Sequence, residues 1–265
     1  MNRSLPTQSI CSIPQMTNPV SFINLSKSFS FGIFLKKYRA LNRISLEVRE
    51  GEVFGFLGPN GAGKSTAINT AMGFIAPDEG DVLIRGIPAG RPESRRHVGY
   101  LPEHPNLYDQ LSATELLAFS GAAARIPAQV VTERTVQLLE RLDLTAFKDR
   151  PVRTYSKGMK QRLGLAMAMI GDPPVLILDE PMSGLDPMGR NLVTDIILEL
   201  KAAGKTIFFS SHILNDVERL CDSIAVIHRG RILYNGQTTG FIGDANNLEA
   251  AFVSLINKTP SEDSP

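Results

Sequence analysis

The stretch GPNGAGKST, residues 58–66, constrains this chain more than any other part of its sequence. The residues before it, 53–57, read VFGFL, an apolar run typical of a buried parallel strand, and the residues after it, AINTAM, favour a helix. Glycine-rich loops let successive backbone N–H groups turn inward around phosphate oxygens. The helix that begins near Lys64 adds the positive end of its dipole. A strand, such a loop and a helix in this order predict a phosphate-binding site.

The spacing of Gly58, Gly63, Lys64 and Ser65 matches the pattern G-x-x-x-x-G-K-[ST]. In such loops the lysine reaches the β and γ phosphates, and the serine hydroxyl suits Mg²⁺. A plain glycine turn before a helix is the alternative, but average residue usage gives this pattern by chance in only about one chain of this length in a hundred. The predicted nucleotide-binding residues are Gly58, Pro59, Asn60, Gly61, Ala62, Gly63, Lys64, Ser65 and Thr66.

A second motif, VLILDEP at residues 175–181, is an apolar strand that ends in two carboxylates. Asp179 is expected at the carboxyl end of the strand, where open α/β sheets bind ligands, and can hold Mg²⁺ directly or through water. Glu180 follows and is placed to accept a proton from an attacking water. Two acids could simply be solvated residues at a strand end, but their pairing with the loop favours a catalytic role.

The composition supports a globular protein and disfavours a nucleic-acid-binding or membrane-spanning chain. The 265 residues are 43% hydrophobic, which supports a large core. Because 28 basic residues nearly balance 27 acidic ones, no basic nucleic-acid-binding surface is expected. Cys11 and Cys221 are the two cysteines, and they lie far apart in the sequence without metal-ligand spacing. We therefore expect both to be reduced thiols and not a disulfide. The longest uncharged apolar run, at residues 163–171, is far too short to span a membrane.

The pattern of apolar residues changes twice along the chain. VSFINL and RISLEV alternate as half-buried strands do, and DVLIRG runs into a predicted Gly-Ile-Pro turn. Residues 112–170 favour helices, with a capping box predicted at Ser112 and Glu115. After Val175, short apolar strands alternate with helices, which predicts a parallel sheet covered on both faces.

Further motifs then appear in a fixed order. YLPEHPNLY at 100–108 precedes YSKGMKQRL at 155–163, and SGLD at 183–186 precedes FFSSHIL, which contains His212. Together with the loop and the VLILDEP strand, they resemble the Q-loop, signature, D-loop and switch histidine of the ATP-binding cassette of ABC transporters. The resemblance extends from about Val20 to Phe252.

The resemblance implies an α/β fold with a P-loop NTPase core built on a parallel sheet, an N-terminal antiparallel β subdomain and an inserted helical subdomain. On this basis residues 1–18 are expected to be a disordered leader and residues 19–240 the ATPase domain. The helical subdomain covers about 104–168. Residues 241–265 are expected to form a C-terminal helix and a flexible tail.

The resemblance also assigns roles to residues. Glu180, His212 and Lys64 would be catalytic, with His212 bonded to the γ-phosphate. Ser156, Gly158 and Asp186 would join the nucleotide-binding set by contacting ATP held on a second cassette. That arrangement implies a dimer of cassettes, with two composite sites if both are identical.

Three positions depart from the family pattern. Lys157 and Met159 replace a glycine and the glutamine of the signature. Glu103 replaces the glutamine of the Q-loop and can reach Mg²⁺ through water, so it joins Ser65 and Asp179 as a predicted metal-binding residue. The acid within YLPE resembles export-type cassettes that work with separate permeases.

The adenine of the expected ATP is predicted to stack on an aromatic residue near the chain start. Phe29 in LSKSF fits best, and Tyr38 is the alternative because FGIFLKKY resembles a short insertion.

The sequence therefore predicts an ATP-hydrolysing subunit that uses ATP and Mg²⁺ and powers a separate integral-membrane permease, for export, from the cytoplasmic face. Phe74, Pro105, Leu107 and Tyr108 are expected to line the groove for the permease, although they could equally be ordinary core residues. A soluble cassette ATPase acting on nucleic acid or ribosomes is the alternative. A nucleotide switch without activity is a third possibility, disfavoured because Glu180 and His212 are both present.

Overall fold

The structure is a computed structural model that describes residues 18–31 and 36–258. The expected leader, apart from Asn18, lies outside the described residues, as do Cys11 and residues 259–265 of the expected tail. The strands are β1 Val20–Phe31, β2 Lys36–Val48, β3 Val53–Leu57, β4 Glu79–Ile84, β5 Ile87–Pro88, β6 Val98–Leu101, β7 Val175–Asp179, β8 Thr206–Ser211, β9 Ser223–His228 and β10 Arg231–Gln237.

The helices connect and cover these strands. They are α1 Lys64–Ala71, α2 Ala113–Ala123, α3 Ala128–Arg141, α4 Lys157–Met169, α5 Pro187–Ala202, α6 Leu214–Leu220, α7 Thr238–Ile242 and α8 Leu248–Lys258. Short 3-10 turns occur at Pro92–His97, Thr145–Phe147 and Val152–Thr154. Within residues 18–31 and 36–258, none of the helices combines the length and the apolar character needed to cross a membrane.

A six-stranded sheet forms the centre of the molecule, with the strand order β10-β9-β3-β8-β7-β6. All neighbouring strands in it are parallel except β10, which runs antiparallel to β9. The central strands β3, β7 and β8 are buried along their whole length, which explains their continuous apolar sequences. The predicted parallel sheet is confirmed, and the carboxyl ends of β3, β7 and β8 lie side by side.

A second, antiparallel sheet has the order β2-β1-β4-β5. It confirms the N-terminal β region, but its first two strands continue well beyond VSFINL and RISLEV. The Gly-Ile-Pro turn was predicted in the wrong place. The chain turns one step earlier, at Arg85 and Gly86, whose φ angles are 48° and 78°, and Ile87–Pro88 is the short returning strand. Two successive residues with positive φ suit a tight hairpin turn.

Aromatic side chains join the two sheets. The ring of Phe208 in β8 stacks on Phe54 at a centroid distance of 5.7 Å and also contacts Phe22 and Phe56 at 5.9 and 5.5 Å. Ile68 of α1 belongs to the same buried cluster. Each such side chain contributes about 1.5–3 kcal/mol through burial, so the helix that follows the glycine-rich loop is held firmly between the sheets.

The helical region between β6 and β7 contains α2, α3 and α4, as expected. The predicted capping box is confirmed, since Ser112 and Glu115 each bond the backbone N–H of the other. Gly121 of α2 permits a close approach to α3, because a Cβ atom there would lie 2.4 Å from Val131. At the N-terminus of α4, Ser156 and Lys157 are exposed, whereas Tyr155 before them is buried. The thiol of Cys221 is buried.

Candidate functional site

The glycine-rich loop leaves β3 and enters α1 under tight steric constraint. A Cβ atom at Gly58 would lie 2.3 Å from the carbonyl oxygen of Ile227 in β9. Gly63 caps α1 with a φ of 113°, and a Cβ atom there would lie 2.6 Å from the carbonyl oxygen of Ala40. Both glycines are therefore required by close backbone approach, and the N-terminus of α1 opens toward the cavity that the loop surrounds.

A cavity of about 360 Å³ lies at the carboxyl ends of the parallel strands. It brings together loop, carboxylate and histidine residues that are far apart in the sequence. Its lining consists of Tyr38, Ala40, Pro59, Asn60, Gly61, Gly63, Lys64, Ser65, Thr66, Glu103, Glu180 and His212. Of the predicted loop residues, only the buried Gly58 and Ala62 do not line it.

A larger groove of about 500 Å³ lies elsewhere, between the two sheets, and includes Glu47, Glu52 and Ser223. It contains none of the predicted site residues, so volume alone does not identify the functional site in this chain.

Lys64 is the cation of the cavity, and it is only 6% exposed. Its Nζ atom donates to the carbonyl oxygen of Gly58 at 2.7 Å and lies 3.5 Å from Oε1 of Glu180. A buried ammonium group requires an anionic partner. At the N-terminus of a helix, beside inward-turned backbone, it can also bind the anionic oxygens of a triphosphate.

Asp179 ends β7 and is almost completely buried. Burial raises the pKa of its carboxyl group, hydrogen bonds from Ser210 and Ser65 oppose that change, and the charges of Glu103 and Glu180 add to the increase. A cation placed here would therefore be attracted by several oxygen groups at once.

The residues around Asp179 fit Mg²⁺. The hydroxyl of Ser65 and the carboxylate of Asp179 already lie within hydrogen-bonding reach of each other, and both are hard oxygen ligands. Mg²⁺ is commonly held by one or two carboxylates together with substrate phosphates and water. This agrees with the absence, among residues 18–31 and 36–258, of a cluster of three or more His, Cys, Asp or Glu side chains that could hold a metal alone.

The carboxylate of Glu180 lies between two basic groups. Its Oε2 atom is 2.9 Å from Nδ1 of His212, while Oε1 faces Lys64. The backbone at Glu180 has a φ of 50°, which is uncommon for a residue other than glycine. The structure thus brings the three predicted catalytic residues together, with the carboxylate at the edge of the cavity, where it could accept a proton.

Two contacts of this region were missed by the sequence reasoning. Ser210 in β8 bonds both Asp179 and the backbone N–H of Glu180, and Gln161 in α4 donates to the carbonyl oxygen of Glu180 at 3.3 Å. Two serines that follow the apolar residues 207–209 were a visible signal of polar side chains at this end of β8. Nothing in the sequence alone indicated that the KGMKQRL helix reaches the end of β7.

The structure brings Tyr38 to the loop rather than Phe29. The hydroxyl of Tyr38 donates to the carbonyl oxygen of Gly61 at 3.1 Å, and the residue is 48% exposed beside the cavity. Phe29 pairs with Tyr38 across β1 and β2, but it does not line the cavity. The first choice for an adenine contact is therefore less well placed than the alternative.

The signature and D-loop residues form a separate surface. Ser156 caps α4, with its Oγ atom accepting from the backbone N–H of Met159 at 3.2 Å, and Asp186 caps α5 through Gly189 at 2.7 Å. A Cβ atom at Gly158 would lie 3.5 Å from the carbonyl oxygen of Gly184, so the two segments touch. None of the three predicted residues lines the loop cavity of the same chain.

Lys157, which departs from the family signature, lies with its aliphatic chain on the D-loop. A Cβ atom at Gly184 would lie 2.7 Å from Cδ of Lys157. The departure is therefore accommodated by a glycine in the facing segment.

Two of the expected groove residues are exposed aromatic side chains. Phe74 is 60% and Tyr108 61% exposed, and each makes an edge contact, with Tyr100 and Phe119 respectively. Leu107 is partly buried against the core.

Comparisons with known proteins agree with this geometry. Residues 41–183 match the ABC transporter family. An uncharacterized ABC transporter ATP-binding protein of Nostoc sp. (strain PCC 7120) is 45% identical over 84% of this chain and 68% of its own length. The Nod factor export ATP-binding protein I of Ralstonia nicotianae is 40% identical over 73% of this chain and 61% of its own length. A solved structure of the ATP-binding subunit of an ABC transporter superposes with a TM-score of 0.80 at 32% identity, covering 89% of this chain and 99% of that one.

Proposed function

The chain belongs to the ABC transporter family as an ATP-binding subunit with ATPase activity, and we propose that it hydrolyses ATP in the cavity between residues 58–66 and Glu180. The observation that carries this proposal is the position of the Glu180 carboxylate, between Lys64 and His212 at the edge of that cavity. The backbone of the loop, the N-terminus of α1 and Lys64 would bind the phosphates.

Ser65 and Asp179 would hold Mg²⁺ directly, and Glu103, which lines the same cavity, would do so through water. Bound Mg²⁺ would neutralise part of the negative charge on the phosphates. Lys64 would exchange its contact with Glu180 for contacts with phosphate oxygens. Glu180, freed from that ion pair, would take a proton from the attacking water, while His212 keeps its carboxylate in place.

The test uses Glu180→Gln, which preserves shape but removes the proton acceptor. Loss of a general base lowers the hydrolysis rate by about 10² to 10⁴, whereas ATP binding should persist. The matched control is Glu249→Gln, on the exposed surface of α8. A phosphate-release rate for Glu180→Gln equal to that of Glu249→Gln would exclude Glu180 as the base.

A second cassette is proposed to complete the site. Ser156, Gly158 and Asp186 lie together on one surface but away from the loop cavity of their own chain. Presented by another copy, the N-terminus of α4 and the hydroxyl of Ser156 would contact the γ-phosphate. A homodimer would contain two such sites.

We further propose that the ATPase drives a separate integral-membrane permease from the cytoplasmic face, in the direction of export. The support is the name of the Ralstonia relative, an export ATP-binding protein, together with Glu103 in the Q-loop. Phe74 and Tyr108 are proposed to contact the permease through their exposed rings. A role on nucleic acid or ribosomes is not favoured, because the relatives are transporter subunits and the chain has a net charge of +1.

Affinity purification from detergent-solubilised membranes tests the permease. A multi-spanning membrane protein should co-purify with the wild-type chain and be lost from the double variant Phe74→Asp/Tyr108→Asp. Recovery of ribosomes or nucleic acid with no membrane protein would contradict the transport role.

A further inference from the structure

Ser210 lies next to the two carboxylate residues of the site but does not face the cavity. It is the fifth residue of β8, which runs between β3 and β7, and the strand register places it directly beside Asp179. Its side chain is completely buried. Its hydroxyl group therefore lies inside the sheet, without contact to solvent.

The hydroxyl of Ser210 uses both its donor and its acceptor capacity. It donates a short hydrogen bond to Oδ1 of Asp179 and accepts one from the backbone N–H of Glu180 at 3.0 Å. One oxygen atom thus fixes the orientation of the Asp179 carboxylate and the position of the peptide that carries Glu180. An apolar side chain could do neither.

The backbone of Glu180 needs such support. A φ of 50° at a residue other than glycine persists only where its surroundings determine it strongly. The N–H group is held by Ser210, and the carbonyl oxygen accepts from the N–H of Ser183 at 3.0 Å and from the Gln161 side chain at 3.3 Å. Of these partners, Ser210 also donates a hydrogen bond to Asp179, so one hydroxyl group links the two carboxylate residues.

We propose that Ser210 is a positioning residue for ATP hydrolysis, which holds the metal-binding carboxylate of Asp179 and the proton-accepting Glu180 in a fixed relation to each other. The inference rests on the proposed roles of those two residues. Ser210 is completely buried and does not line the loop cavity, so it would act through its neighbours. Loss of a group that orients a metal-binding side chain typically costs about 10- to 100-fold in metal affinity or activity.

The test compares Ser210→Ala with Thr206→Val. Thr206 lies at the other end of the same strand, is equally buried, and its hydroxyl also accepts a backbone N–H bond, from Gly51 at 2.9 Å. Both variants therefore lose one buried hydroxyl from β8, but only Ser210→Ala changes the site. The measurements are kcat and KM for ATP, and binding of a fluorescent ATP analogue as Mg²⁺ is titrated and again in EDTA.

For Ser210→Ala we expect kcat to fall about 10- to 100-fold and the half-saturating Mg²⁺ concentration to rise. Binding of the analogue in EDTA, which depends on the loop, should stay unchanged, and Thr206→Val should resemble the wild type in every measurement. If Ser210→Ala matches Thr206→Val in kcat and in Mg²⁺ dependence, the proposal is wrong.

Two additions keep the result decisive. If Ser210→Ala unfolds at a much lower temperature, Ser210→Cys is the second variant, because cysteine preserves the volume but is only a weak donor and acceptor. We expect Ser210→Cys to show the same losses in kcat and in Mg²⁺ dependence. Wild-type values for this variant would overturn the proposal. Asp179→Asn reports on the proposed function itself. If Asp179→Asn loses Mg²⁺-dependent binding of the ATP analogue while Ser210→Ala keeps it, the positioning role of Ser210 is wrong and the metal site stands. If Asp179→Asn binds the analogue as the wild type does, the proposed metal site is wrong.

Discussion

The ammonium group of Lys64 and the carboxylate of Glu180 form a buried ion pair with an Nζ–Oε1 distance of 3.5 Å. The pair joins the loop that would bind phosphates to the residue that would activate water. Both side chains are withdrawn from solvent, so removing Glu180 takes from Lys64 the carboxylate with which it pairs, whereas removing Lys64 leaves Glu180 bonded to His212. In the proposed site, ATP phosphates would compete with Glu180 for Lys64, so substrate binding and release of the base would be coupled through this contact.

Replacement of Lys64 by alanine should weaken ATP binding. Hydrogen bonds to charged groups contribute about 1.5–3 kcal/mol each, so the affinity should fall at least about tenfold. A direct titration with a fluorescent ATP analogue measures this change. Lys258→Ala, an exposed lysine at the end of α8, is the control and should bind as the wild type does. Equal affinities of the two variants would refute the assignment of the loop.

Glu103 should act by accepting a hydrogen bond from metal-bound water and not as an amide donor. Its carboxylate lines the cavity and contributes to the raised pKa of Asp179. Glu103→Gln should bind ATP normally and keep substantial hydrolysis, because the amide oxygen can still accept a hydrogen bond from metal-bound water. Glu103→Ala should impair hydrolysis more. If both variants release phosphate at wild-type rates, Glu103 has no role in hydrolysis.

Tyr38 should contribute more to ATP affinity than Phe29. Stacking of a base on an aromatic ring is worth about 1–3 kcal/mol by alanine substitution, and only Tyr38 lines the cavity. We therefore expect Tyr38→Ala to weaken binding of ATP measured by calorimetry, with Tyr38→Phe retaining most of it. Phe29→Ala serves as the matched comparison. A larger loss of ATP affinity for Phe29→Ala than for Tyr38→Ala would identify Phe29 as the adenine contact.

Gly58 should be intolerant of even one methyl group. A Cβ atom there meets a backbone oxygen of β9 at 2.3 Å, whereas nothing lies within 4 Å of a Cβ atom at Gly90. Overpacking of this kind costs about 1–3 kcal/mol, so Gly58→Ala should unfold at a lower urea concentration. Gly90→Ala should lie within about 0.5 kcal/mol of the wild type. Similar midpoints for the two variants would show that the loop can move away from β9.

The sequence predicted those parts of the site that depend on short-range pattern. The loop is recognisable because glycine spacing, a preceding strand and a following helix all lie within twenty residues. Asp179 and Glu180 are recognisable because two acidic residues follow directly on an apolar run that predicts a strand. The parallel sheet followed from the alternation of apolar strands and helices after Val175, and the structure confirms it.

Contacts between distant elements could not be predicted in the same way. Ser210 acquires its role only because β7 and β8 are neighbours in register, and Gln161 only because α4 packs toward the end of β7. Phe29 and Tyr38 pair across β1 and β2, so the choice between them depends on which of the two strands brings its side chain to the loop. Both are aromatic residues near the start of the chain, so the sequence pattern does not distinguish them, whereas the structure places only Tyr38 of the two at the cavity.

The proposed dimer can be tested by separating binding from chemistry. Glu180→Gln keeps Lys64 and Asp179 intact, so ATP should bind and persist. If the signature surface of one copy closes on the ATP of another, the trapped state should accumulate as a dimer in light scattering with ATP and Mg²⁺.

Adding Ser156→Arg to Glu180→Gln places a bulky side chain at the N-cap of α4, in the surface that would face the partner's nucleotide. The double variant should remain monomeric while still binding ATP, because Ser156 does not line the loop cavity of its own chain. Lys258→Ala added to Glu180→Gln is the control and should leave the dimer intact. If Glu180→Gln hydrolyses ATP slowly but forms no ATP-dependent dimer, alone or with the co-purified permease, the composite site is wrong. If the dimer forms and survives Ser156→Arg, the copies associate through another face, because a charged side chain of that size cannot fit between a helix N-terminus and a phosphate group in close contact.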